Sequence, residues 1–239
     1  EGGGHVRREF GDVDWRRMVV TTGSSGGFLL AFLAAFDAGD RIALASPGYP
    51  AYRNILTALG IEPVELEVGP EHRFQPTPEL LSRLERQPDG LIVASPSNPC
   101  GTMLDRGHFE ALLGYCRERG IRVVSDEIYH GITYGMAATS ATELDSEAIV
   151  VNSFSKYYAM TGWRLGWMVV PEALLRSVES LAQNLFVSPQ ALPQHAARVA
   201  FDAKAELDGK VAHYAENRAL LLRELPKAGF DRLAPADGA

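Results

Sequence analysis

Ser153-Phe154-Ser155-Lys156, followed by Thr161-Gly162-Trp163-Arg164-Leu165-Gly166, is the stretch of this 239-residue chain best suited to chemistry. A lysine amine forms a Schiff base with a carbonyl. Ser155 and Arg164 are residue types that hold a phosphate, the arginine through its planar fork of donors. A carbonyl and a phosphate on one cofactor describe pyridoxal phosphate (PLP). A lone lysine beside serines is ordinarily a solvated surface group, so the other polar clusters carry as much weight.

Gly23-Ser24-Ser25-Gly26-Gly27 lies between an apolar run and a helical pattern. Its amides and hydroxyls, with the positive end of the helix, make an anion site; a glycine-rich turn with a serine cap is the equal alternative. A nucleotide P-loop is not expected, because no Gly-Lys-Ser/Thr ending follows. Asp126 comes just past a buried strand, where an unpaired carboxylate is costly. Facing a pyridine nitrogen it would keep that nitrogen protonated; as a structural residue it would cap a turn or pair with an arginine. Asn98 and Tyr129 could both bond a phenolic oxygen, although Asn98 between Pro96 and Pro99 also reads as a turn residue. Tyr49, in Ser46-Pro47-Gly48-Tyr49-Pro50, could stack on a ring or simply pack. His130, the histidine nearest this chemistry, reads as a supporting or surface residue.

The elements that must position these residues alternate. Strands are expected at 18–22, 41–45, 62–68, 90–94, 121–125, 148–152 and 164–170. The glycine-serine stretch 23–27 reads as a turn, and helices are expected at 28–38, 51–59, 78–86, 105–119, 172–185 and 193–225, the last broken near Gly209. Alternating strands and helices with near-continuous apolar strands predict an α/β fold with a mostly parallel sheet and helices on both faces. Ligands in such sheets sit beyond the carboxyl ends of the strands. The clusters at 95–99, 126–129 and 153–156 each follow a predicted strand, so they should converge. Residues 1–17 are glycine-rich and charged without a clear period and are set apart from a domain at 18–190 and a final segment at 191–239.

Hydrophobic residues are 46% and charged residues 22%, ordinary for a globular chain with a substantial core. A formal charge of −7 argues against nucleic acid as the main partner. The two cysteines, Cys100 and Cys116, make no CxxC pair, and the expected setting is reducing and cytoplasmic. The six histidines show no metal-ligand spacing, so no metal is expected. No apolar run reaches the ~18 residues of a membrane span, and no signal peptide is read at the start.

Taken together, Gly23–Gly27, Pro47-Gly48-Tyr49-Pro50, Asn98-Pro99 with Gly101, Asp126 with Tyr129, Ser153–Lys156 and Arg164-Leu165-Gly166 resemble, in order and spacing, the fold-type I PLP enzymes and within them the class I/II aminotransferases. The resemblance covers residues 18 to 239. It implies a PLP-binding large domain, followed from residue 191 by a long helix and the start of an incomplete small α/β domain. It implies amino-group transfer between an amino acid and a 2-keto acid through Lys156 as the Schiff-base lysine and proton carrier. Asp126 would face the pyridine nitrogen, Asn98 and Tyr129 the phenolic oxygen, and Tyr49 the ring face. Gly23, Ser24, Ser25, Ser153, Ser155 and Arg164 would form the phosphate cup. A homodimer is implied for the full-length form. The family's arginine for the substrate carboxylate is expected beyond residue 239, and the N-terminal arm before residue 1. Cys100 stands where the family often has threonine or another small residue. The same cofactor cup also serves lyases and synthases of this fold, and a PLP-binding regulator or inactive remnant is the non-enzymatic alternative.

Overall fold

The computed structural model describes residues 13–230, 232–234 and 236–239. The reading of residues 1–12 as atypical therefore lies outside the described residues. Trp15–Arg17 form one 3₁₀ turn, capped by the Asp14 side chain, and lead into the first strand.

Seven strands form one sheet: β1 (Met18–Thr21), β2 (Arg41–Ser46), β3 (Glu62–Glu67), β4 (Gly90–Ala94), β5 (Arg122–Asp126), β6 (Ile149–Ser153) and β7 (Gly166–Val169), in the order β1-β7-β6-β5-β4-β2-β3. Strands β2 to β6 pair in parallel, while β7 runs antiparallel to both β6 and β1. The fold is α/β with a mostly parallel sheet, as the alternation of elements predicts.

The described residues form seven helices, four of them between strands, α1 (Gly23–Ala35), α2 (Pro50–Ala58), α3 (Pro78–Ser82) and α4 (Arg106–Glu118), and three after β7, α5 (Glu172–Leu185), α6 (Ala191–Ala200) and α7 (Lys204–Glu224). Successive strand residues point to opposite faces, and two cores result. Val124, Ile149, Val151 and Met168 pack with Phe28 and Phe32 of α1, Leu56 of α2 and Val178 of α5. Val123, Val150 and Val169 pack on the other face with Leu81 of α3 and Phe109, Leu112 and Leu113 of α4. Each fully buried Leu or Phe of this kind contributes about 1.5–3 kcal/mol through lost water contact.

Local chemistry explains the helix ends. Asp105 accepts from the His108 amide at 3.0 Å and starts α4, whose apolar Phe109, Leu112, Leu113 and Cys116 share one face. Two expectations need correction. The Gly23–Gly27 stretch is not a separate turn but the opening of α1. Gly27 sits where an added Cβ would come within 2.9 Å of Val151 Cγ1, so the glycines let α1 lie directly against β6. The break in the last long helix falls at 201–203, not at Gly209, which lies inside α7. Phe201 packs edge-on against Phe154 and Tyr158, both at 5.5 Å, and that tertiary contact turns the chain. Gly209 has no atoms nearby and is merely tolerated in the helix.

Candidate active site

The parallel register brings the strand ends level. Ala94, the last residue of β4, lies opposite Asp126, the last residue of β5, which lies opposite Val151 of β6. Asp126 therefore ends its strand instead of following it, and Ser153 likewise ends β6. The loops after β4, β5 and β6 leave one edge side by side and carry Asn98, Tyr129 and Lys156. Tyr49 comes from the turn between β2 and α2, and Ser24 from the first turn of α1.

These residues meet. Ser24, Tyr49, Asn98, Asp126, Tyr129 and Lys156 line one cavity of about 80 Å³, floored by Ala94 and walled by Phe28, Tyr52 and Ile128. The Lys156 Nζ lies 5.2 Å from the Tyr129 ring centroid. Tyr49 is 40% exposed at the rim and meets Tyr52 edge-on, with centroids 5.4 Å apart.

Asp126 is buried, 5% exposed, and has no ion-pair partner among the described residues. Its Oδ1 accepts from the Ile128 amide at 3.0 Å, and its Oδ2 accepts a short hydrogen bond from the Tyr52 hydroxyl. Burial pushes its carboxyl up to about 6, against the smaller lowering effects of those two hydrogen bonds. Burial likewise holds the Tyr52 phenol well above its ordinary value, with the Asp126 charge adding to it. Tyr52 escaped the sequence reading because its partner lies 74 residues away. Its only local signal was a buried aromatic with a polar tip at an apolar position of α2.

The remaining expected residues lie on a second group of contacts. The Lys156 loop is tightly wound. The Ser153 Oγ accepts from the Ser155 amide at 3.1 Å, and the Ala159 amide donates to the Lys156 carbonyl at 2.9 Å. Ser153 is thereby occupied in shaping the loop. Beneath it, Phe154 and Tyr158 are buried with Trp167 and Leu207, fixing the loop on α6 and α7. Thr161 Oγ1 donates to the Ser155 carbonyl at 2.7 Å, and Arg164 Nη1 donates to the Thr161 carbonyl at 3.1 Å. Arg164 and Ser155 are thus joined through Thr161, for which the sequence reading had no role. Arg164 itself adopts a left-handed backbone, φ 50°. Ser25, in the first turn of α1, is exposed.

Gly23 explains how the arginine reaches α1. Its φ is +78°, and an added Cβ would stand 2.6 Å from Arg164 Nη2. The guanidinium occupies the space a side chain would take, at the positive end of a helix. Hydroxyls, a guanidinium and a helix N-terminus are groups that favour negative charge. Gly23→Ala is expected to destabilise the fold by about 1 kcal/mol, because a left-handed residue gains a Cβ, and to weaken phosphate binding more severely, because the arginine is displaced. Thermal denaturation and phosphate-ligand titration separate the two effects; an unchanged affinity would contradict the assignment.

Comparison with known proteins bears on the same residues. The family model described as aminotransferase class I and II matches residues 10–238. The chain is 54% identical over 239 residues to a valine–pyruvate aminotransferase of Mycobacterium tuberculosis, covering 98% of this chain and 62% of that protein. A crystal structure of an aminotransferase from Mycobacterium tuberculosis superimposes with a TM-score of 0.95 at 53% identity, over 99% of this chain and 62% of the other. A Thermus thermophilus aspartate aminotransferase, solved with maleate, gives a TM-score of 0.90 at 30% identity, over 99% and 64%. The chain therefore spans less than two thirds of the length of these relatives.

Proposed function

We propose, from the premise that this chain belongs to the class I and II aminotransferase family, that it binds pyridoxal phosphate and supplies the cofactor half of an amino-group transfer between an amino acid and a 2-keto acid. The observation that carries this reading is the single cavity lined by Lys156, Asp126, Asn98, Tyr129, Tyr49 and Ser24. The chemistry of the donor set fits the cofactor. Asp126 is a buried carboxylate without a cation, and a protonated ring nitrogen supplies one. Bound, the cofactor contributes a ring that withdraws electrons from a bond broken at a substrate α-carbon.

The chain's own residues do the rest. Lys156 provides the amine that tethers the cofactor and then carries the α-proton. Asp126, braced by Tyr52 and the Ile128 amide, keeps the ring nitrogen protonated. Asn98 and Tyr129 hold the phenolic oxygen, and Tyr49 covers the ring. Ser24, Ser25, Ser155 and Arg164 hold the phosphate, with Gly23 admitting the guanidinium. Ser153 serves that group by holding the Ser155 amide.

The substrates we assign are valine and pyruvate, following the relative at 54% identity. The organisation we assign is a cofactor-binding domain at 18–190 and the first part of a second domain at 191–239. A second copy of the chain is the partner for the exposed apolar Leu185, Val187, Leu192 and Trp163. No helix among the described residues is long and apolar enough to cross a membrane. Free Cys100 and Cys116 agree with a cytoplasmic setting. Burial pushes the Cys116 thiol up to about 12, so it is inert.

The test is a product assay on the chain loaded with cofactor and given valine and pyruvate. Alanine and the keto acid of valine are expected. A chain that takes up cofactor but forms no alanine from valine and pyruvate would overturn the transfer reading.

A further inference from the structure

Glu127 and His130 have no part in the reading above, yet both are held at the site. Glu127 directly follows Asp126 and is 1% exposed. Its Oε1 accepts from the Ser125 hydroxyl at 3.1 Å and the Ala141 amide at 2.8 Å. Its Oε2 is buried and accepts no hydrogen bond among the described residues. The group facing it is His130 Nδ1, at 3.4 Å. The other ring nitrogen, Nε2, lies 3.1 Å from the Ser95 carbonyl oxygen. Carbonyls and carboxylates only accept, so each ring nitrogen faces an acceptor, Nε2 within hydrogen-bond reach and Nδ1 at ion-pair distance. Ser95 opens the loop that carries Asn98, and Glu127 and His130 bracket the turn that carries Tyr129. The imidazole therefore joins the two loops whose side chains line the cavity.

We infer that buried Glu127 and half-buried His130 form an ion pair that positions Asp126, Asn98 and Tyr129 about the cofactor ring and neutralises the Glu127 charge beside Asp126. Both are positioning residues, and the inference rests on the pyridoxal phosphate reading. The charged and titratable groups acting on Asp126 are Tyr52, Glu127 and His130, and Lys156, Tyr49 and Tyr129 line the same cavity. Of the two partners, the Glu127 charge raises the proton affinity of Asp126 and the His130 charge lowers it. Removing only the histidine leaves an uncompensated carboxylate in a buried place, the costly way to break such a pair; removing both charges is far milder.

That asymmetry gives a test that a merely structural contact would not pass. Pyridoxal phosphate is titrated into the 239-residue chain, its His130→Gln and Glu127→Gln variants and the double variant, with thermal midpoints measured before cofactor is added. His130→Gln is expected to raise the dissociation constant about tenfold and lower the midpoint, whereas the double variant should return to within about threefold of wild type. Glu127→Gln, which keeps an acceptor for Ser125 and Ala141, should lose about threefold. Should His130→Gln not fold, folding and cofactor uptake by the double variant support the pair. Wild-type affinity in His130→Gln or Glu127→Gln overturns the inference, as does a double variant no better than His130→Gln. A wild-type chain that takes up no cofactor fails the functional reading itself, and the pair falls with it.

Discussion

The Lys156→Ala variant is expected to retain no cofactor after incubation with pyridoxal phosphate and reduction by borohydride, while the wild-type chain is fixed at one site. The expectation is sharp because the sequence contains only four lysines. Lys204, Lys210 and Lys227 are paired with Asp208, Glu206 and Glu224 at 2.7, 2.9 and 2.9 Å. Among the described residues Lys156 alone has no ion pair and lines the cavity with Asp126 and Tyr129. Amino transfer should fall with it by about 10²–10⁴-fold, the contribution of a positioned proton carrier. Mass analysis of the reduced protein locates the adduct. An adduct on any of the other three lysines, or undiminished fixation in the variant, would remove the chemical basis of the assignment.

Asp126→Asn is expected to make the cofactor-free chain more stable at pH 8 while crippling cofactor binding. The Asp126 carboxyl stands at about 6 in the folded chain against an ordinary 3.8, mainly because it is buried. Between those values the folded state binds more protons than the unfolded state, so stability falls as pH rises through the window. Above about pH 6 the whole penalty remains, about 3 kcal/mol for a shift of roughly two units. Asparagine removes the charge but accepts one fewer hydrogen bond from Tyr52 or Ile128, which returns about 1 kcal/mol. The net gain should therefore be about 2 kcal/mol at pH 8, shrinking towards pH 4, as read by urea denaturation of both proteins at each pH. No gain at pH 8 would mean that Asp126 is not an uncompensated buried charge. A gain accompanied by lost cofactor affinity is the signature of stability given up for function at this position.

Two features of the site explain how much of it could be read without coordinates. Apolar runs such as Leu91-Ile92-Val93 and Val123-Val124 announce buried strands, and polar residues immediately after them mark the edge where ligands gather. Asn98, Asp126, Tyr129 and Lys156 are legible for that reason, and their order along the chain carries the family resemblance. The phosphate corner depends on contacts that residue type alone does not show. Ser153 has the right type and place, yet its hydroxyl holds the Ser155 amide, and Thr161 supplies the link between Ser155 and Arg164. Composition cannot distinguish a serine that shapes a loop from one that faces a ligand.

The sequence by itself determined the alternation of elements, the parallel sheet and the set of residues delivered to its carboxyl edge, because period, turn chemistry and strand burial are short-range properties. Only the tertiary structure decided that Tyr52 braces Asp126 and that His130 spans from Glu127 to Ser95, 35 residues away. It also decided that Gly23 receives the Arg164 guanidinium and that Phe201, not Gly209, ends a helix. Each of these depends on which side chain fills a space between elements distant in sequence, and packing at fixed volume, with buried polar groups needing partners, settles that only once the sheet and helices are assembled.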